Sequence, residues 1–146
     1  MSKLNQTNAR RIISFVLLLA LFAFPSIVTA QKTENSAPAI VKIDGTAPHA
    51  TVFRNSSFKS PIIIENAEEA AKYFSKQSVA KLTAKVDFEK QTVLLFAWRG
   101  SGGDRLSYTV AESYPEQIRF KYQPGRTRDL RPHVYVYALR NNVTWK

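Results

Sequence analysis

No cysteine occurs in the 146 residues, which excludes a disulfide framework, a thiolate ligand set and a lipid-bearing N-terminal thiol, so an apolar core must hold the chain together. Histidine is nearly as scarce. His49 and His133 are the only two, too isolated for a metal cluster, and no His-Glu-x-x-His pattern is present. The sequence therefore predicts no metal and no cofactor. Acidic residues are few, 11 against 21 lysines and arginines, a formal charge of +10. That balance favours acidic partners, anionic polysaccharide or nucleic acid, and excludes nothing about fold.

Long apolar runs are confined to the start of the chain. Lys3, Arg10 and Arg11, with no acid among them, precede Ile12, Ile13, Ser14 and the unbroken run Phe15 to Phe24. Pro25 breaks that run, and Val28-Thr29-Ala30 supplies the small-residue pattern of a cleavage site. Residues 1–30 thus read as a signal peptide cut before Gln31. An uncleaved anchor is the alternative, although Pro25, Ser26 and Thr29 interrupt a span that wants about 20 mostly apolar residues. The expected address is secreted or periplasmic, with no membrane attachment after cleavage. Cleavage would remove three of the 21 basic residues and none of the 11 acidic ones, leaving 116 residues with a formal charge of +7. That length suits one domain. Residues 31–38 are polar and aperiodic, a disordered lead, and 39–146 form the expected single globular domain.

Ile40 to Ile43, Thr51-Val52-Phe53 and Pro61 to Ile64 read as short strands, with Asn55-Ser56-Ser57 as a turn. Asn66 stands as a helix cap with Glu69 three residues on, and Ala67, Ala70, Ala71 and Phe74 share one face, so one helix is expected from about Ala67 to Lys76. After Val86-Asp87-Phe88, the run Thr92 to Trp98 suits a strand buried on both faces. Period-two alternation then recurs at Leu106, Tyr108, Val110, at Ile118, Phe120, Tyr122 and at Val134, Val136, Ala138. Short connections favour antiparallel neighbours. The expected fold class is α+β and mainly antiparallel β, a small single domain with one helix packed on an antiparallel sheet.

Within residues 86–139, a strand opened by Val86-Asp87-Phe88, a loop carrying Gly102-Gly103, two further strands, Pro124-Gly125 and a closing strand after Pro132 resemble the C-terminal domain of the PrcB-type protease stability proteins. Those are exported bacterial partners of a surface protease complex. The resemblance covers about half of the mature chain. It departs from the family at Ser101-Gly102-Gly103-Asp104, where members typically carry a Thr-Gly-Gly-Tyr-like loop, and at the very basic segment from Gly125 to His133. A shared fold would survive these changes, while the partner's identity would not be fixed by them.

Two loops carry the candidate chemistry. In the first, Gly102 and Gly103 free backbone N–H groups to turn inward, and Arg99 and Arg105 flank them, the makings of an anion nest. No Gly-Lys-Ser/Thr ending or following helix makes it a phosphate loop, and a flexible hairpin is the plainer reading. In the second, Arg126, Arg128 and Arg131 with His133 could grip carboxylate, sulfate or phosphate. A solvated loop whose arginines pair with Asp129 is the alternative.

A triad of Ser101, His133 and Asp104 or Asp129 has the right residue types, but no nucleophile elbow surrounds the serine, and no enzymatic activity is expected. Tyr135 and Tyr137 with Arg119 and Lys121 suggest a platform for sugar or protein, unless the tyrosines are second-face core under a helix. Asn55-Ser56-Ser57 and Asn142-Val143-Thr144 match glycosylation sequons, which a bacterial resemblance makes coincidental. Two functions follow as expectations. One is an exported, non-enzymatic interaction module that assists or stabilises an envelope protease or surface complex. The other is a polyanion-binding envelope protein using the loops 99–105 and 126–133, with anionic polysaccharide as its ligand. An exported protein meets envelope polymers first, and no nucleic acid partner is expected.

Overall fold

The computed structural model describes residues 37–146, and the expected signal peptide and most of the expected polar lead lie outside the described residues. The elements, in chain order, are β1 (Ile40–Lys42), α1 (Val52–Asn55), β2 (Ile62–Ile64), α2 (Ala67–Tyr73), α3 (Lys76–Thr83), β3 (Gln91–Gly100), β4 (Arg105–Ala111), β5 (Gln117–Gln123), β6 (Arg131–Arg140) and β7 (Thr144–Trp145). Mainly antiparallel sheet with a few short helices, the described chain matches the expected class; the single expected helix is replaced by three.

The run at 92–98 organises everything else. In β3, Val93, Leu95 and Ala97 leave one face and Leu94, Phe96 and Trp98 the other, and all six are buried. A strand apolar on both sides forces cover on both faces of its sheet. β6 pairs with β3 over its full length, from Gln91↔Arg140 to Gly100↔Arg131, and shows the same two-sided pattern. β1 and β2 complete the order β1-β6-β3-β2.

One face takes the helices. Val52, Ala70, Phe74 and Leu82 pack there with Val93, Leu95, Val136 and Ala138. The other face takes a second sheet, β4-β5-β7, whose Leu106 and Ile118 meet Leu94, Phe96, Trp98, Tyr137 and Leu139. Tyr137 is buried between the sheets, donates its hydroxyl to the Leu106 carbonyl at 3.4 Å, and burial pushes its phenol up to about 12.

Local differences from the expected elements have identifiable causes. Thr51-Val52-Phe53 is not a strand: Val52 and Arg54 donate to the carbonyls of His49 and Thr51, and the short helix α1 plugs Val52 into the core. An apolar pair this short has no readable period. The helix expected to reach Lys76 ends at Tyr73, because Phe74 turns extended and Ser75 caps a new helix by accepting from the Ser78 N–H at 3.4 Å. Asn66 caps α2 as expected, accepting from the Glu69 N–H at 2.8 Å. The return bond of the box slips by one residue, from the Glu65 N–H to Glu69 at 2.9 Å.

Val86-Asp87-Phe88 opens no strand. Asp87 accepts from the Glu89 N–H at 3.1 Å, and this turn delays β3 until Gln91. Nor is the C-terminal half one sheet. β4 and β5 pair with each other and leave β3 to β6, and β7 adds to β5 in parallel, a pairing that sequential alternation does not disclose.

Candidate functional site

The two candidate loops meet at one end of the sandwich because β3 and β6 end in register, Gly100 opposite Arg131. Their contact is dense. The Gly102 N–H is shared by Thr127 Oγ1 at 3.0 Å and Asp129 Oδ1 at 2.7 Å. Ser101 Oγ accepts from the Thr127 N–H at 2.9 Å, and the Asp104 N–H donates to the Ser101 carbonyl at 2.8 Å. From the other side, the Gly125 N–H donates to Asp104 Oδ1 at 2.7 Å. The glycine turn is thus closed from within: its Gly102 N–H is taken by the chain's own Asp129 carboxylate and Thr127 hydroxyl, and its Gly103 N–H by Ser101 Oγ at 3.4 Å.

Electrostatics follow from these bonds. The Thr127 hydroxyl, donating at 2.6 Å, the Gly102 N–H and Arg131 together hold the Asp129 carboxyl down to about 2. Arg131 closes on it, Nε to Oδ2 at 2.6 Å. Burial works against ionisation of Asp104, yet bonds from the Gly125 N–H, the Trp98 indole at 3.0 Å and Tyr122 leave its carboxyl below the ordinary value. Because the folded pKa of Asp129 lies below the reference 3.8, its stabilising contribution is complete above that value and is lost as pH falls through about 2. Thermal melts of the wild type are expected to be flat between about pH 5 and 9 and to decline towards pH 2, more steeply than those of Asp129→Asn. Equal slopes in the two proteins would show that this carboxylate does not hold the loops.

His133 stacks on Trp98, centroids 5.0 Å apart, and Tyr135 stacks on the same indole at 5.5 Å. The imidazole Nε2 donates to the Ser101 carbonyl at 2.8 Å, which requires a proton on that nitrogen. The hydrogen bond goes to the serine's backbone and not to its hydroxyl, which is engaged by Thr127. Ser101, His133 and the two aspartates are therefore brought together without the nucleophile-to-base contact of a triad. Among the described residues no cluster of histidine and carboxylate side chains is placed to hold a metal ion.

The candidate arginines divide. Arg131 is committed to Asp129, and the Arg99 guanidinium lies 5.1 Å over the ring of Phe53. Arg105, Arg126 and Arg128 are exposed and form no salt bridge among the described residues. Tyr135 and Tyr137 do not share a platform with Arg119 and Lys121. The tyrosines point between the sheets, half-buried and buried, as second-face core covered by a sheet rather than a helix.

What the two loops do not supply, the second sheet does. Leu106, Ile118, Phe120 and Tyr122 face inward, so Arg105, Ser107 and Thr109 on β4 and Arg119, Lys121 and Gln123 on β5 face out. Register sets Ser107 beside Lys121 and Thr109 beside Arg119. β4, β5 and β7 contain no acidic residue, and none of the three outward cations is ion-paired among the described residues. The signal for this face was present in the sequence as the polar half of the alternation at 105–109 and 117–123. No family model, curated protein or solved structure matches this chain.

Proposed function

We propose that the chain is an exported, non-catalytic binding module whose ligand is an anionic polymer, held on the outward face of β4-β5-β7. The observation that supports this reading is the acid-free array of Arg105, Arg119 and Lys121 on one sheet face, interleaved with hydroxyl and amide side chains that serve as hydrogen-bond partners for sulfate, uronate or phosphate groups. Exposed Arg126 and Arg128 extend the positive charge beyond the end of β5. Envelope polysaccharide is the source an exported protein meets first.

Each cation near an anionic surface is worth roughly a fivefold gain in affinity, so Arg105→Glu/Arg119→Glu/Lys121→Glu is expected to weaken binding to dextran sulfate by about 100-fold or more. Wild-type retention is expected to fall steeply with salt, and Arg126→Glu/Arg128→Glu to weaken it less. Retention unchanged by the triple reversal would sink the sheet-face reading. Recovery of a stoichiometric exported protease, insensitive to salt and to the triple reversal, would move the function to the docking module implied by the resemblance to PrcB-type proteins.

A further inference from the structure

β4 is an edge. It pairs with β5 on one side in unbroken register, Arg105↔Gln123 to Ala111↔Gln117, and among the described residues no strand pairs with its other side. Seven residues of unpaired ladder invite another strand, and proteins normally guard such edges with proline, a bulge or mid-strand charge. β4 has none of these, its one charge, Arg105, standing at the very end. Tyr108 and Val110 along it are 37% and 41% exposed, large apolar groups left partly uncovered.

The strand's sequence says what covers it. Arg-Leu-Ser-Tyr-Thr-Val-Ala is chemically near-symmetric about Tyr108. Laid antiparallel on a second copy about that residue, Tyr108 meets the partner's Tyr108, Ser107 meets the partner's Thr109, and Leu106 meets the partner's Val110. Hydroxyls then oppose hydroxyls on the outer face, and apolar groups oppose apolar groups on the inner one. Arg105 falls opposite the partner's Ala111 and beside the partner's Glu112, so no cation opposes a cation. Sliding the pairing by one residue would set inward side chains against outward ones, and by two would leave only five of the seven residues paired. From this self-complementarity we infer that β4 is the interface of a two-fold homodimer, joining two β4-β5-β7 sheets edge to edge into one of six strands.

The inference does not rest on the polyanion reading, and salt separates the two. The seam sets apolar groups against apolar groups and hydroxyls against hydroxyls, with no cation opposite a cation, so the dimer should persist at salt concentrations that release a bound polyanion. Because the chain has no cysteine, register can be read chemically. Ser107→Cys mixed with Thr109→Cys is expected to form disulfide-linked heterodimers at least tenfold faster than either variant alone, since directly opposed strand positions meet disulfide geometry and displaced ones do not. Both side chains face solvent, so the fold should tolerate them. Val110→Lys, which sets a charge against the partner's Leu106, is expected to keep the far-ultraviolet circular dichroism of the folded domain and to raise the dimer dissociation constant at least tenfold in sedimentation equilibrium. A wild type that sediments as a monomer up to its solubility limit would overturn the proposal. So would a dimer that survives Val110→Lys unchanged, or cross-linking no faster in the mixture than in the single variants.

Discussion

Gly125→Ala is expected to destabilise the domain by about 2 to 3 kcal/mol, the upper part of the range for forcing an extra methyl into a packed site. A Cβ at Gly125 would stand 2.6 Å from the carbonyl carbon and 2.7 Å from the Cα of Gly103, and closer still to Ser101 Oγ. Two of those three neighbours are backbone, which has no rotamer by which to retreat. Relief therefore requires the loops to part, and the Gly125 N–H bond to Asp104 and the Thr127 N–H bond to Ser101 would stretch with them. Gly103→Ala serves as the internal control. Its Cβ would meet the Gly125 Cα at 3.2 Å, a contact that a shift of a few tenths of an ångström relieves. For a domain of this size the larger effect corresponds to a thermal midpoint lower by roughly 10 °C or more. Equal midpoints for the two variants would mean that the loops do not approach as closely as their hydrogen bonds require.

The glycines and arginines of these loops were visible in the sequence as chemistry-bearing residues, and their meeting was not. Asp129 lies 27 positions from the Gly102 N–H that it accepts, and no local pattern says whether a loop aspartate pairs with a neighbouring arginine or closes a distant glycine turn. Here it does both, since Arg131 closes on the same carboxylate. The β3 run was legible because burial on both faces erases the polar half of the strand alternation, leaving an unbroken apolar stretch that few other environments tolerate. Tyr135 and Tyr137 were ambiguous for the converse reason: an aromatic residue on the second face of a strand reads alike whether water, a helix or another sheet covers it. The departure of β4 from β3 could not be read from its own residues, because alternation fixes which side chains share a face and not which strand lies beside them. Ser75 carried a cap signal for α3, with Val79 and Leu82 behind it, while the single-helix expectation ran on through Phe74 and Ser75 to Lys76.

The two sheets depend on Phe96, and its truncation to alanine is expected to lower stability by about 3 to 5 kcal/mol. The side chain is 2% exposed, sits 4.8 Å from Phe120 on β5 and 6.2 Å from Tyr137 on β6, and so touches both layers at once. Removing it leaves a cavity that stacked sheets, held apart by their remaining side chains, can close only in part. Leu95, on the opposite face of the same strand, makes the matched comparison: Leu95→Ala should cost about 2 to 5 kcal/mol by opening the helix side instead. Stability alone will not separate the two variants. Amide exchange will, since loss of packing lowers protection first in the layer that has lost its contacts. Phe96→Ala is expected to speed exchange in β4 and β5 relative to α2 and α3, and Leu95→Ala to do the reverse. A Phe96 variant with β4 and β5 still fully protected would show that the second sheet stands without the aromatic contacts between the layers. In that event neither the cationic face nor the β4 edge would depend on the core beneath it.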